Sequence, residues 1–230
     1  MRYLSRKKVY QKIEATKNAK KLYIFCEGKE TEIRYFNYFQ GLSSNIDIIP
    51  IPNVDGQSDP LKLKENAELL FFGNEVTSPK FSISEEYQDE IWFVIDTDRW
   101  NEGDKINQLK LFCTSKNISA KQWIVAQSNP SFELWLYYHF YKVQPEKETV
   151  EQHASFKQFV DAAIKGGFDS RSMPIEIENA IVNSKANFQI KNEQPNLYSS
   201  EVFYLGEVIL PFVKVQIDKA REMMTNTEAL

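Results

Sequence analysis

An apolar run, Leu22-Tyr-Ile-Phe-Cys26, stops at Glu27 and Gly28, and a helical pattern starts directly afterwards. A carboxylate therefore stands where a buried strand ends. The same event recurs at Ile91-Trp-Phe-Val-Ile95, which delivers Asp96 and, two residues on, Asp98. In an open α/β sheet, ligands collect in the crevice beyond the carboxyl ends of the strands. Three acids from two strands would converge there, a layout that suits a hard divalent cation such as Mg²⁺.

Asp and Glu are also common after strands because they make turns and cap helices. Two details favour chemistry over capping. Gly28 permits tight backbone geometry after Glu27, and Asp-x-Asp spacing points both side chains the same way if the strand stays extended.

The rest of the chain reads as alternating strands and helices. Strands are expected near 22–26, 46–51, 90–95 and 122–126, with helices over about 31–41, 60–72 and 104–117. Residues 73–88 read as irregular. Such alternation predicts right-handed βαβ units and a mainly parallel sheet, hence an α/β fold. Glu32, Phe36 and Phe39 share one helical stripe, so Glu32 begins the apolar, sheet-facing side. That is an odd home for a structural carboxylate.

The fourth strand runs into Ser128-Asn-Pro-Ser-Phe-Glu-Leu-Trp135. Asn129 can cap the following helix and Pro130 fits its first turn. Phe132, Trp135, Leu136, His139 and Phe140 follow core spacing, so His139 reads as packed. Glu133 sits off that stripe, where it either meets the helix dipole or leans toward the acids. From about 150 onward the pattern is helical and polar, with helices expected near 150–165, 174–188 and 199–223.

Charge and composition narrow the classes. Residues 1–21 hold eight basic side chains against Glu14 alone, leaving 20 basic and 31 acidic groups in the remainder. This basic arm can grip phosphates, although short lysine-rich termini are commonly solvated tails. Two histidines and two unpaired cysteines, Cys26 and Cys113, exclude a zinc cage and a disulfide framework. No apolar run of signal-peptide or transmembrane length appears, so a cytoplasmic protein without membrane contact is expected. The division expected is a basic arm over 1–21, an α/β domain over 22–148 and a helical region over 149–230.

Taken together, Glu27-Gly28-Lys-Glu-Thr-Glu32, Asp96-Thr-Asp98 and Ser128-Asn-Pro-Ser-Phe-Glu133-Leu-Trp135 resemble the RloB-like family of Toprim-fold proteins, over roughly residues 20 to 142. The resemblance implies a Toprim-like sheet with a strand-end glutamate at Glu27 and paired aspartates at Asp96 and Asp98, binding Mg²⁺ or Mn²⁺. It implies that Glu32 matches the acid found just beyond the glycine in the nuclease branch. Relatives of this kind are encoded beside ATPases of the ABC/AAA type in bacterial antiphage defence loci, where related Toprim proteins act as nuclease effectors.

The expectation is thus a Mg²⁺-dependent nuclease acting on DNA or RNA with an ATPase partner; a homo-oligomer is compatible with it. Asp96 and Asp98 would hold one ion, and Glu27 would ligate it or take a proton from the attacking water. Glu32 and Glu133 are candidates for a second ion. Lys29 and Arg99, each beside an acidic motif, would meet the substrate phosphate, though lone basic residues near acids are usually salt-bridge partners. Two other readings compete. One is a non-catalytic metal-binding module that regulates or recruits through the same fold. The other is an aspartyl phosphotransferase at Asp96, which lacks the downstream lysine and acid motifs.

Overall fold

The computed structural model describes residues 12–53, 59–97, 104–118 and 122–228. Most of the basic arm, together with Asp98 and Arg99, lies outside these residues. The core is an α/β sheet in the order β2-β1-β3-β4-β7, formed by Lys20–Cys26 (β1), Ile46–Pro52 (β2), Glu90–Asp96 (β3), Trp123–Asn129 (β4) and Ser199–Ser200 (β7). The first four strands are parallel, and β7 runs antiparallel to β4. The mainly parallel sheet flanked by helices is as expected.

Strands β1 and β3 are almost uniformly apolar because helices cover both faces, the usual condition of parallel sheets. Their alternate side chains feed two cores. Leu22, Ile24, Trp92 and Val94 pack on one face with Tyr35, Phe36 and Phe39 from the segment between β1 and β2. Tyr23, Phe25, Phe93 and Ile95 pack on the other with Leu63, Ala67, Ile106 and Leu109. The helices responsible are α1 (Thr31–Asn37), α2 (Pro60–Phe72) and α3 (Lys105–Lys116). The chain leaves β1 for β2 on one side through α1, then crosses back past β1 to β3 through α2. The direction of winding therefore reverses between β1 and β3, and the sheet opens a crevice there beyond its strand ends.

Local chemistry sets the helix boundaries. The Asp59 carboxylate accepts the Leu61 N–H at 2.9 Å and Pro60 occupies the first turn of α2, both standard helix starts. The helix expected over 31–41 ends at Asn37, and the chain turns through Gly41 at φ +73°, a conformation glycine adopts without strain.

The segment after β4 departs from expectation in its capping. Asn129 does not cap the next helix, α4 (Glu133–Tyr137): it ends β4, and its Nδ2 donates to Pro195 O at 2.9 Å. Pro130 precedes the helix rather than lying in its first turn, and the Asn129–Pro130 peptide is cis. The helix is short, so the core stripe ends with His139, and Phe140 is 43% exposed.

The C-terminal region is helical in the main, with α5 (Lys147–Val150), α6 (Phe156–Ala163), α7 (Ile177–Asn187) and α8 (Val202–Glu228). The single helix expected near 150–165 is two short ones. A hairpin of β5 (Ile190–Lys191) and β6 (Gln194–Pro195) and the strand β7 interrupt the helical pattern. Ala180 and Ile181 of α7 and Val202, Leu205, Ile209 and Val213 of α8 join the same apolar cluster as β1 and α1. They complete that layer. Among the described residues no helix is long and apolar enough to cross a membrane.

Candidate active site

Glu27 is the first residue beyond β1, and Asp96 is the last of β3. Parallel pairing brings them side by side: Glu27 N–H donates to Val94 O at 3.1 Å, so β1 keeps its register one residue past its end. The Glu27 side chain then reaches over the end of β3, where Oε2 accepts the Asp96 N–H at 2.8 Å. Asn53, just past β2, donates its Nδ2 to Glu27 O. Glu27 is buried, with its N–H and its carboxylate both bonded to β3 and its carbonyl to Asn53 beyond β2.

Glu32 lies close against Gly28. A β-carbon there would lie 2.1 Å from Glu32 Oε2, so any side chain at 28 would strike the carboxylate. Glu32 is buried near the start of α1, and its Oε1 accepts the Gly28 N–H at 3.0 Å. Folding α1 back over the β1 end therefore draws a carboxylate inward. Burial raises the Glu32 pKa, and the Glu133 charge adds to the rise while Lys157 opposes it.

Asp96 is half-buried, and its Oδ1 accepts the Phe132 N–H at 2.8 Å, at the entrance to α4. This bond gives the start of α4 the partner that Asn129 does not supply. Burial pushes the Asp96 carboxyl well above the usual range, and the charges of Glu27, Glu32 and Glu133 push it further. The four acids thus share one electrostatic neighbourhood, built from the ends of β1 and β3 and the starts of α1 and α4. Glu133 accepts from Ser131 Oγ at 2.7 Å through Oε2, and its Oε1 lies 3.9 Å from Lys157 Nζ on α6.

Of the residues singled out from sequence, Glu27, Glu32, Asp96 and Glu133 come together, whereas Lys29 is exposed in the loop after Gly28. Asp98 and Arg99 fall outside the described residues. Among those described, no three His, Cys, Asp or Glu side chains are arranged to hold a metal ion. Lys157 escaped the sequence reading, because nothing in the spacing of α6 marks it as facing α4. His139 is packed as expected: it is 2% exposed, its Nδ1 lies 2.9 Å from Trp135 O, and its Nε2 lies 3.2 Å from the Tyr35 hydroxyl. Cys26 and Cys113 are free and buried.

No curated protein and no solved structure matches this chain. The model of one protein family does, described as RloB-like protein, over residues 22–209. The match begins in β1 and ends within α8, so it takes in all four acids and the helices that complete their layer. The chain belongs to the RloB-like family.

Proposed function

We propose that the protein is a Mg²⁺- or Mn²⁺-dependent nuclease with a Toprim-like core, acting as the effector of an ABC/AAA-type ATPase in antiphage defence. The observation that carries this reading is the approach of Glu27 and Asp96 across the point where the sheet reverses its winding. The donor set suits a hard cation, since it consists of carboxylates alone. Crowding supports the same conclusion: the neighbouring acids raise the Asp96 pKa, and that repulsion is relieved when a cation sits among them.

In this reading Glu27, Asp96 and Asp98 hold the ion, and Glu32 and Glu133 stand beside it. A bound divalent cation would supply Lewis-acid polarisation of the phosphoryl oxygen and a more acidic water. The chain's own part is orientation. Glu27 Oε2, Asp96 Oδ1, Glu32 Oε1 and Glu133 Oε2 are each fixed by an N–H or O–H donor, so the carboxylates need little reorganisation when substrate arrives. Lys157 joins Lys29 and Arg99 as a cation for the substrate phosphate, because its ammonium already borders Glu133.

A second reading is a metal-binding regulatory module without turnover. It draws on the structural hydrogen bonds of Asp96 and Glu32, which cap Phe132 and Gly28. Incubating the purified protein with labelled DNA and tRNA, with and without Mn²⁺ and a candidate ABC/AAA-type ATPase partner, separates the two. The nuclease reading requires metal-dependent cleavage that is lost in Asp98→Ala. A regulatory module would bind the metal and the ATPase and cleave nothing.

A further inference from the structure

Thr97 separates the two aspartates in sequence and is held from every side. Its N–H lies 2.8 Å from Ser128 O and 3.1 Å from Pro130 O, and its hydroxyl donates to Ser128 O at 2.9 Å. The hydroxyl oxygen in turn accepts from Gln127 Nε2 at 2.8 Å. Gln127 is completely buried, and its backbone is tied to the start of α8: its N–H donates to Glu201 Oε2 at 3.0 Å, and its carbonyl accepts the Glu201 N–H at 2.8 Å.

Stability does not explain why a glutamine stands here. Among the described residues Gln127 Oε1 is buried with no hydrogen-bond partner, which costs free energy that an apolar side chain of similar length would not. Replacing Gln127 by Met would also orphan no donor, because the Thr97 hydroxyl would still donate to Ser128 O. What the amide adds is a second partner for the Thr97 hydroxyl, whose own peptide follows Asp96. That peptide sits next to the one whose N–H Glu27 accepts. Polar groups retained at a cost in stability are characteristic of functional sites.

We propose that Gln127 is a positioning residue: through Thr97 it holds the β3 exit so that Asp96 keeps its place against Glu27. The proposal rests on the metal-dependent nuclease reading. Gln127 meets the β3 exit through Thr97, so on this proposal its loss is read in ion affinity and kcat. Loss of such a supporting contact typically lowers metal affinity by about 10- to 100-fold.

The test uses the full chain as wild type, Gln127→Met, Thr97→Ser, Thr97→Ala and Glu27→Gln. Three quantities are read: the melting temperature in EDTA, the Mn²⁺ concentration giving half of the metal-dependent rise in melting temperature, and kcat and KM for cleavage. Gln127→Met should melt in EDTA at or above wild type, need about 10-fold more Mn²⁺ or greater, and lose kcat with KM unchanged. Thr97→Ala should shift the Mn²⁺ midpoint in the same direction, and Thr97→Ser, which keeps the hydroxyl, should behave as wild type. If Gln127→Met keeps the wild-type midpoint and kcat while Glu27→Gln loses cleavage, the positioning role is wrong and the nuclease reading survives. If Gln127→Met melts well below wild type in EDTA or fails to fold, the residue is structural and the proposal is overturned. If Glu27→Gln cleaves like wild type, the nuclease reading has failed and the positioning role falls with it.

Discussion

The N–H of Asp96 donates to Glu27 Oε2 at 2.8 Å, so the side chain that leaves β1 grips the final peptide of β3. Two strand ends that belong to different βα units become one rigid edge. Disturbing either acid should therefore be felt at the other.

Gly28→Ala tests the close approach of α1. The added methyl would meet the Glu32 carboxylate, which must then swing away from the Gly28 N–H and give up that hydrogen bond. A hydrogen bond to a charged group is worth about 1.5–3 kcal/mol, less where the displaced group reaches water. Urea unfolding should show a loss of that size in Gly28→Ala, and a smaller loss when Glu32→Ala accompanies it. Additive losses would mean that the two residues do not interact.

Asp96→Asn tests the crowding of charge. The Asp96 pKa is raised on folding, so at neutral pH its ionised form opposes folding, and the opposition fades as pH falls through the folded pKa. The asparagine keeps an oxygen for the Phe132 N–H and removes the charge. In EDTA at neutral pH Asp96→Asn should melt higher than wild type, and millimolar Mn²⁺ should stabilise it less. A variant that melts lower than wild type in EDTA would show that Asp96 is ionised to advantage without metal.

His139 should dominate any acid-side loss of stability that is independent of the acids. Burial lowers its pKa from 6.5 to about 3, so between these values the unfolded chain takes up a proton that the folded protein refuses. Stability is intact above about pH 6.5 and is lost progressively as pH falls towards 3. The full difference is on the order of 4–5 kcal/mol. His139→Gln, which does not titrate, should show a flatter decline than wild type when unfolding free energies are compared from pH 7 to pH 4. Parallel declines would mean that His139 takes up its proton while folded.

The sheet was legible because β1, β3 and β4 are buried on both faces and read as apolar runs ended by polar residues. The acids were legible for the same reason, since Glu27 and Asp96 interrupt those runs. What escaped carried no periodicity. Strands of two residues, such as Ser199–Ser200 and the Ile190–Pro195 hairpin, are too short to alternate. Phe140 continued a helical spacing that the chain abandons after Tyr137. Lys157 and Gln127 act through tertiary contacts, with Glu133 and Thr97, that no local pattern encodes.

Glu27→Gln tests most directly whether the Glu27 and Asp96 edge is a metal-dependent cleavage site. The substitution keeps an oxygen for the Asp96 N–H and removes the charge and basicity. Cleavage of labelled DNA and tRNA in Mn²⁺ should fall by about 10²- to 10³-fold relative to wild type, with the melting temperature in EDTA preserved. Cleavage at the wild-type rate by folded Glu27→Gln would contradict the account and leave the strand-end acids as structural caps.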